Sequence, residues 1–310
     1  MSAPPGAADR FVRFPPGWGT ALIPERPRRA TAQATMLYTA CRPVPLLAQQ
    51  VVWAAARLGG ARLLPGRREP FTAPLPTETF EGLYRDWVRA AGGQADGLAL
   101  HRRVQPSRPS AVLLLCAGPR SLLLRVRRNA RDLDKERRIS EAAARLRPRS
   151  FRVPAVRAEG ERDGWHWVGY EVIARRPHWP VRSADPELFA EITELVESAL
   201  SRPADVPRSW CGCHGDLTPW NLRRSGRATW LIDWEDAGWA PEGADLVYFT
   251  ATAATLGRRP RGPLRVAETH AEATRYWRAI VDRRETVRRE DRLQQRLSTL
   301  LGSDPPSSAA

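Results

Sequence analysis

Three side chains with oxygen atoms suited to metal binding or proton transfer lie close together in the sequence. Asp216 precedes Asn221 by five residues, and Asp233 follows a short apolar segment, Thr229 to Ile232. Ser225-Gly226 predicts a hairpin turn between them, so a loop and a strand end bring the three side chains together. Phosphoryl transfer requires such a set: one carboxylate accepts a hydroxyl proton, while an amide oxygen and a second carboxylate hold Mg²⁺ on nucleotide phosphates.

The sequence around these residues resembles a family signature. HGDLTPWN, followed by IDWE, is similar to the HGDxxxxN…DxE motif of the aminoglycoside phosphotransferase and choline kinase-like family, whose members are small-molecule kinases related in fold to protein kinases. The resemblance implies that Asp216 is the catalytic base and that Asn221 and Asp233 bind Mg²⁺. It also implies that His214 and Asp245 give structural support to the catalytic loop.

The resemblance extends upstream to residues that would bind the nucleotide phosphates. Arg125, in LLLRV, stands where the family has a phosphate-pairing lysine. Glu141 on the next helix is its predicted acidic partner, and Glu136 is the alternative. Lys135 is an alternative source of the ammonium group. A guanidinium can bridge a carboxylate and phosphate oxygens, although its reach and geometry differ from those of lysine.

The other nucleotide contacts are expected from main-chain atoms. The resemblance puts the adenine-binding hinge at the end of an apolar strand, with Glu171 and Ile173 as its contact residues. The cover over the phosphates is expected from the first hairpin loop, where arginines either touch phosphate or are solvated surface residues: Arg102, Arg103 and Arg108. The implied cofactors are ATP or GTP, with Mg²⁺.

Hydrophobic periodicity predicts the elements that must position these residues. We expect helices near Pro45 to Leu58, Thr77 to Ala91, Asp132 to Leu146 and from Asp185-Pro186 onward, with strands over 97–128 and around WHWVGYEVIA. Two or three further helices reach Leu301. This order predicts an α+β, two-lobed, protein-kinase-like fold. Its N-lobe is an antiparallel sheet plus one helix, its C-lobe is mainly helical, and a cleft lies between the lobes.

The predicted domains are an N-terminal extension of unknown role over residues 1–95, an N-lobe over 96–173, a C-lobe over 174–302 and a disordered tail over 303–310. The extension, which is partly helical, is a candidate for completing the acceptor site or for docking a protein partner.

Composition limits the remaining classes of protein. The 310 residues include 49 basic and 34 acidic ones, a net charge of +15. Of the basic residues only Lys135 is not arginine, which is typical of a GC-rich genome. No nucleic-acid-binding motif accompanies the charge, so no nucleic acid partner is expected.

The longest apolar run, Ala111 to Ala117, is too short to span a membrane. The four cysteines have no disulfide-like spacing, and the N-terminus has no secretory signal, so we expect a cytoplasmic protein.

These observations predict transfer of the γ-phosphoryl group of ATP or GTP to a hydroxyl of a small molecule, such as a sugar or an aminoglycoside-like compound. Residues 174–310 carry a net charge near zero, so an acidic groove for a polycation is not evident; the local candidates are Glu242, Asp245, Glu268 and Glu272. The alternative is a catalytically inactive kinase-like binding or scaffold protein, which Arg125 favours. Cys211-Gly212-Cys213-His214 is interpreted as buried small residues beside a motif histidine, since no second ligand pair has suitable spacing.

Overall fold

The computed structural model describes residues 3–6, 9–16, 21–37, 40–101, 110–173, 177–257, 264–283 and 291–302. The chain divides into two compact units, one formed by residues 1–141 and 154–179 and the other by residues 142–153 and 180–310. The first unit contains an antiparallel sheet with helices, and the second contains mainly helices. The predicted α+β class is therefore confirmed.

The first unit is built on an eight-stranded sheet with the order β3-β1-β2-β4-β5-β6-β8-β7. The described strand pairings in this sheet are all antiparallel. Its strands are β1 (Arg10–Phe14), β2 (Ala21–Pro24), β3 (Arg68–Pro70), β4 (Gly97–His101), β5 (Ser110–Cys116), β6 (Leu122–Arg127), β7 (Val156–Arg162) and β8 (Trp165–Glu171). Its helices are α1 (Arg28–Ala34), α2 (Pro43–Gly59), α3 (Thr77–Ala90) and α4 (Arg131–Leu146).

Both faces of the central strand β5 are buried, which explains its uninterrupted apolar sequence. Alternate residues of a strand point to opposite faces. Leu113 and Leu115 of β5 therefore join a core with residues of α3, whereas Leu114 and Cys116 join a second core with residues of α1 and α2. A strand covered on both sides needs apolar residues at every position.

Residues 1–95 are an integral part of the first unit, which differs from the expectation of an extension. They supply three strands of the sheet and the helices that cover both of its faces. The helices α2 and α3 match their predicted positions. The strands β1 and β2 are only five and four residues long, too short to give a clear alternating pattern.

Within its described residues, the second unit combines two small sheets with five helices. Its strands are β9 (Trp179–Pro180, at the unit boundary), β10 (Trp210–Cys213), β11 (Leu222–Ser225), β12 (Ala228–Leu231) and β13 (Gly238–Pro241). β10 pairs with β13, and the other sheet has the order β12-β11-β9. The helices are α5 (Pro186–Ala199), α6 (Ala244–Thr255), α7 (Arg265–Thr269), α8 (Ala271–Arg283) and α9 (Asp291–Leu300).

Aromatic packing holds α6 against α8. The rings of Tyr248 and Trp277 stack with centroids 3.9 Å apart and an interplanar angle of 11°. The indole N–H of Trp277 also donates a hydrogen bond to the carbonyl oxygen of Ala244, at 2.8 Å. The first turn of α6 is therefore fixed by both packing and hydrogen bonding, and Asp245 lies in that turn.

Over the described residues, we find no helix with both the length and the apolar character that crossing a bilayer demands.

The burial of α3 predicts that residues 1–95 are needed for stability. Phe80 is 2% exposed, and its ring lies 5.3 Å from that of Phe71 and 6.0 Å from that of Trp87. We expect Phe80→Ala to lower the free energy of unfolding by about 3–5 kcal/mol through lost burial and a new cavity. Arg85→Ala, at an exposed position of the same helix, should change it by less than about 0.5 kcal/mol. Urea denaturation measures both, and equal effects would contradict the assignment.

Candidate active site

The loop between β10 and β11 brings Asp216 into contact with Asn221. The side-chain amide nitrogen of Asn221 donates hydrogen bonds to the backbone oxygen and to Oδ2 of Asp216, both at 2.9 Å. Because the amide nitrogen faces Asp216, the amide oxygen of Asn221 is the atom of this side chain suited to a cation. The sequence analysis expected a loop and a strand end to bring these residues together, and in the structure Asp216 and Asn221 are in contact.

The β11–β12 hairpin brings Asp233 next to this loop. Leu222 pairs with Leu231 in the hairpin register, and the backbone N–H of Ile232 donates to the carbonyl oxygen of Asn221 at 3.0 Å. Asp233 follows directly, with φ 70° and ψ 59°. This left-handed conformation is uncommon for a residue other than glycine and is found most often at functional sites. All three predicted oxygen-bearing residues thus belong to one short stretch of structure.

His214 connects the two segments through both of its ring nitrogens. Nε2 donates to the carbonyl oxygen of Ile232 at 3.0 Å, and Nδ1 accepts the backbone N–H of Asp216 at 3.2 Å. These bonds assign the proton to Nε2 of a neutral imidazole. Burial disfavours the charged ring and lowers the pKa of His214 to about 4, so the ring is neutral at physiological pH.

Asp245, in the first turn of α6, supports the loop by binding its backbone. Its carboxylate accepts the backbone N–H of His214 at 2.7 Å and that of Gly215 at 3.3 Å. Burial raises the pKa of Asp245 to about 6, and the two backbone hydrogen bonds oppose that rise. His214 and Asp245 therefore contact the loop backbone, as structural supports would.

Gly215 occupies a position that a side chain cannot share. Its φ is +77°, and a Cβ atom there would lie 2.1 Å from the carbonyl oxygen of Asp236. The loop and the turn after Asp233 are therefore in backbone contact at this glycine. The Gly in HGD was available in the sequence as a signal for such a close approach.

Trp234 has a role in the site that the sequence analysis did not assign. Its ring centroid lies 4.4 Å from that of His214 and 6.2 Å from that of Phe151, and its indole N–H donates to the carbonyl oxygen of Leu231 at 3.2 Å. It therefore helps to bury the histidine. Its place between Asp233 and Glu235 in IDWE was the available signal.

The structure corrects the predicted partner of Arg125 in the first unit. Arg125 forms an ion pair with Glu136 at 2.9 Å, and their side chains are only 12% and 6% exposed. Glu141 instead pairs with Arg137 at 2.7 Å and is 47% exposed. Five residues along a helix correspond to about 140° of rotation, so Glu136 and Glu141 lie on different faces of α4. The alternative, Glu136, is the acid that reaches β6.

The predicted hinge residues lie at and after the end of β8. The backbone N–H of Glu171 donates to the carbonyl oxygen of Ala155 at 2.9 Å, and its carboxylate pairs with Arg157. Ile173 follows the strand and is half-buried. The arginines of the first hairpin loop lie outside the described residues: Arg102, Arg103 and Arg108.

The two cysteines before His214 belong to the framework of the site. Cys213 is buried in the core formed with α6, α8 and α9, and burial raises the pKa of both the Cys211 and the Cys213 thiol. Protonated thiols are poor metal ligands. Among the described residues, no three His, Cys, Asp or Glu side chains are grouped as a metal would require. An amide oxygen and a carboxylate, as in Asn221 and Asp233, are oxygen donors of the kind that fits Mg²⁺.

Comparison with known proteins agrees with the motif. A family model described as APH, Phosphotransferase enzyme family, matches residues 174–282. This range contains the whole loop, Asp233 and Asp245. The predicted resemblance is therefore confirmed over this range, and it supports a phosphotransferase. No curated protein matches the chain at a significant level.

The chain is also similar to solved structures. One is the GDP and kanamycin complex of APH(2")-IIia, with 13% identity, a TM-score of 0.44, and coverage of 70% of this chain and 95% of that one. Another is the aminoglycoside phosphotransferase APH(4)-Ia, with 13% identity, a TM-score of 0.44, and coverage of 73% and 98%. A third is a candidate fructosamine-3-kinase from Haemophilus somnus 129PT, with 9% identity, a TM-score of 0.40, and coverage of 70% and 95%.

The close approach at Gly215 makes a prediction that can be tested by stability. We expect Gly215→Ala to lower the free energy of unfolding by about 2–4 kcal/mol, because the left-handed backbone and the overlap with Asp236 both add strain. Gly226→Ala is the matched control: its φ is +59°, and no atom lies within 4 Å of the added Cβ. It should cost only about 1 kcal/mol. Similar losses in urea denaturation would show that the contact is not tight.

The raised pKa of Asp245 predicts that its contribution to the free energy of unfolding depends on pH. Between the ordinary value of 3.8 and about 6, the folded protein holds a proton on Asp245 that the unfolded chain releases. The contribution of Asp245 to stability is therefore fully present below pH 3.8 and declines as the pH rises to about 6. Relative to the wild type, Asp245→Asn should become more stable by up to about 3 kcal/mol between pH 4 and pH 7. A pH-independent difference between their unfolding free energies would contradict the assignment.

Proposed function

We propose that the chain transfers the γ-phosphoryl group of ATP or GTP to a hydroxyl of a small molecule. The observation that carries the proposal is the Asp216–Asn221 contact beside Asp233, held by His214 and Asp245. This reaction class depends on positioning and on charge stabilisation more than on covalent chemistry by the protein. A loop with fixed carboxylates and a fixed amide meets that requirement.

Asp216 is the proposed catalytic base. Its Oδ2 accepts a hydrogen bond from Asn221 at 2.9 Å, which fixes the carboxylate that would orient the acceptor hydroxyl and take its proton. The neighbouring His214 is unsuited to this task, because both ring nitrogens bond to backbone groups and burial keeps the ring neutral.

Asn221 and Asp233 are the proposed ligands of Mg²⁺. When bound, the ion neutralises phosphate charge and orients the group to be transferred. In this chain, the backbone bond between Ile232 and Asn221 fixes the two ligand-bearing residues relative to each other.

Arg125 is the proposed residue for nucleotide phosphates, with Glu136 and not Glu141 as its partner. The ion pair orients the guanidinium, and a guanidinium is a group suited to phosphate oxygens. We retain Glu171 and Ile173 as the proposed backbone contacts for the base of the nucleotide.

A sugar hydroxyl is the acceptor that we favour over a polycationic aminoglycoside. Two of the four acids considered for a cationic acceptor have structural contacts instead. Asp245 is buried against the backbone of His214 and Gly215, and Glu272 accepts the indole N–H of Trp210 at 3.1 Å. Fewer acids thus remain to bind several ammonium groups.

The alternative is an inactive nucleotide-binding or scaffold protein, and the observation that favours it is arginine at position 125. Lysine is a compact charge with a flexible stem, whereas the planar guanidinium is larger and has a different reach.

Calorimetry with ATP and GTP, with and without Mg²⁺, tests the proposed ligands. We expect Mg²⁺-dependent nucleotide binding by the wild type and its loss in Asp233→Asn. Asparagine tolerates the left-handed backbone of position 233, so this variant removes charge with little strain. Asp205→Asn removes the same charge from an exposed loop residue and should bind as the wild type does.

Turnover measured with a panel of sugars, amino alcohols and aminoglycosides, on the same purified proteins, tests Asp216 as the catalytic base. Asp216→Asn should keep nucleotide binding and lose about 10²–10⁴-fold in turnover. Nucleotide binding without turnover of any acceptor would favour the scaffold. The absence of nucleotide binding by the wild type would contradict the proposed kinase and would favour a scaffold protein in which Arg125 marks a disabled nucleotide site.

A further inference from the structure

The helix α2 presents a row of large apolar side chains to solvent. Val44, Leu47, Val51 and Leu58 are 79%, 66%, 61% and 73% exposed, and Leu63, just after the helix, is 57% exposed. They are five of the seven large apolar side chains that are exposed in the described part of the chain. Single exposed apolar residues are ordinary, whereas a cluster of them marks an interaction surface.

The exposed row is not used to hold α2 in the first unit. The positions 44, 47, 51 and 58 repeat at three- and four-residue steps, so they share one face of the helix. The opposite face holds α2 in place through Leu46, Gln49 and Ala56, which are buried. There Oε1 of Gln49 accepts the backbone N–H of Ala40 at 3.2 Å.

The sequence around this row is exclusively basic. Residues 26–68 contain eight arginines and no aspartate or glutamate, so these 43 residues carry a charge of +8 within a chain of net +15. Arg42 precedes α2, Arg57 lies in its last turn and Arg62 follows, and all three are exposed. The apolar row is therefore bordered along the chain by positive charge alone.

The charge of this segment indicates which kind of partner could cover the apolar row. A second copy of the chain would bring another segment of +8 against the first, and the repulsion opposes self-association. An anionic bilayer offers the complementary arrangement, with phosphates at the level of the arginines and acyl chains below them for the apolar row.

We propose that α2 docks on an anionic lipid bilayer surface, with its apolar row at the boundary between headgroups and acyl chains and with its flanking arginines on lipid phosphates. The helix lies in the plane of the surface, because its 17 residues are fewer than the ~20 apolar residues of a spanning helix. The proposal does not depend on the phosphotransferase activity.

Vesicle co-sedimentation of the full chain tests the proposal. We expect the wild type to bind vesicles of phosphatidylcholine with about 30 mol% phosphatidylglycerol, and to bind pure phosphatidylcholine at least about tenfold more weakly. Leu47→Glu combined with Val51→Glu should reduce binding to the anionic vesicles by more than about tenfold. The matched control is Leu146→Glu, at an exposed apolar position of α4, and it should bind as the wild type does.

The arginines are tested separately. Replacing both Arg57 and Arg62 by Ala should weaken binding to the anionic vesicles by about fivefold per residue. The control replaces both Arg85 and Arg145 by Ala, which removes the same charge from α3 and α4 and should have a smaller effect. Raising the salt from about 0.1 M to 1 M should weaken wild-type binding. Circular dichroism melting verifies that each variant is folded.

Four outcomes would overturn the proposal. The first is equal binding to both kinds of vesicle or to neither. The second is retention of binding by the folded Leu47→Glu, Val51→Glu variant. The third is a dimer in light scattering that this variant abolishes, which would assign the surface to a second copy. Capture of an acidic protein through α2 without any vesicle binding would assign it to a protein partner.

Discussion

The carboxylate of Asp245 is the group on which the candidate site depends. It accepts the backbone N–H groups of His214 and Gly215, although burial opposes its charge. His214 then uses one ring nitrogen on the backbone of Asp216 and the other on that of Ile232. A continuous series of hydrogen bonds therefore runs from α6 through the loop to the residue before Asp233. The polar atoms of His214 and Asp245 thus hold the loop backbone, so the proposed chemistry belongs to other side chains.

Burial acts in opposite directions on the two supporting side chains. It lowers the pKa of His214 to about 4 and raises that of Asp245 to about 6. Between pH 4 and pH 6, the stability contribution of His214 increases with pH while that of Asp245 decreases. The two trends therefore have opposite signs in this pH range. A neutral histidine also adds no positive charge next to the carboxylates of Asp216 and Asp233.

The sequence predicts those features that depend on local spacing and misses those that depend on how elements pack. The hairpin signal after the motif predicted that Asp216, Asn221 and Asp233 lie near one another, and hydrophobic periodicity predicted α2 and α3. The choice between Glu136 and Glu141 depends on how α4 is rotated toward β6, which no local pattern encodes. Strands as short as β1 and β2 gave too few residues to show that residues 1–95 complete the sheet. Trp234 went unassigned because its contact with His214 crosses from one segment to another.

The way in which the helices pack on the sheet explains why one face of α2 keeps its apolar side chains exposed. On that side of the sheet the core is made largely of small residues, among them Ala30, Ala32 and Ala56, so the helices pack closely with little side-chain volume. A helix held by its own tertiary packing normally buries its largest apolar residues. In α2 the side that packs on the core includes Leu46, Gln49, Trp53 and Ala56, and the large apolar residues Val44, Leu47, Val51 and Leu58 nevertheless face outward. Because the folded unit obtains no burial from this row, the row is available to a surface outside the chain, and the uniformly basic segment around it favours one that is anionic.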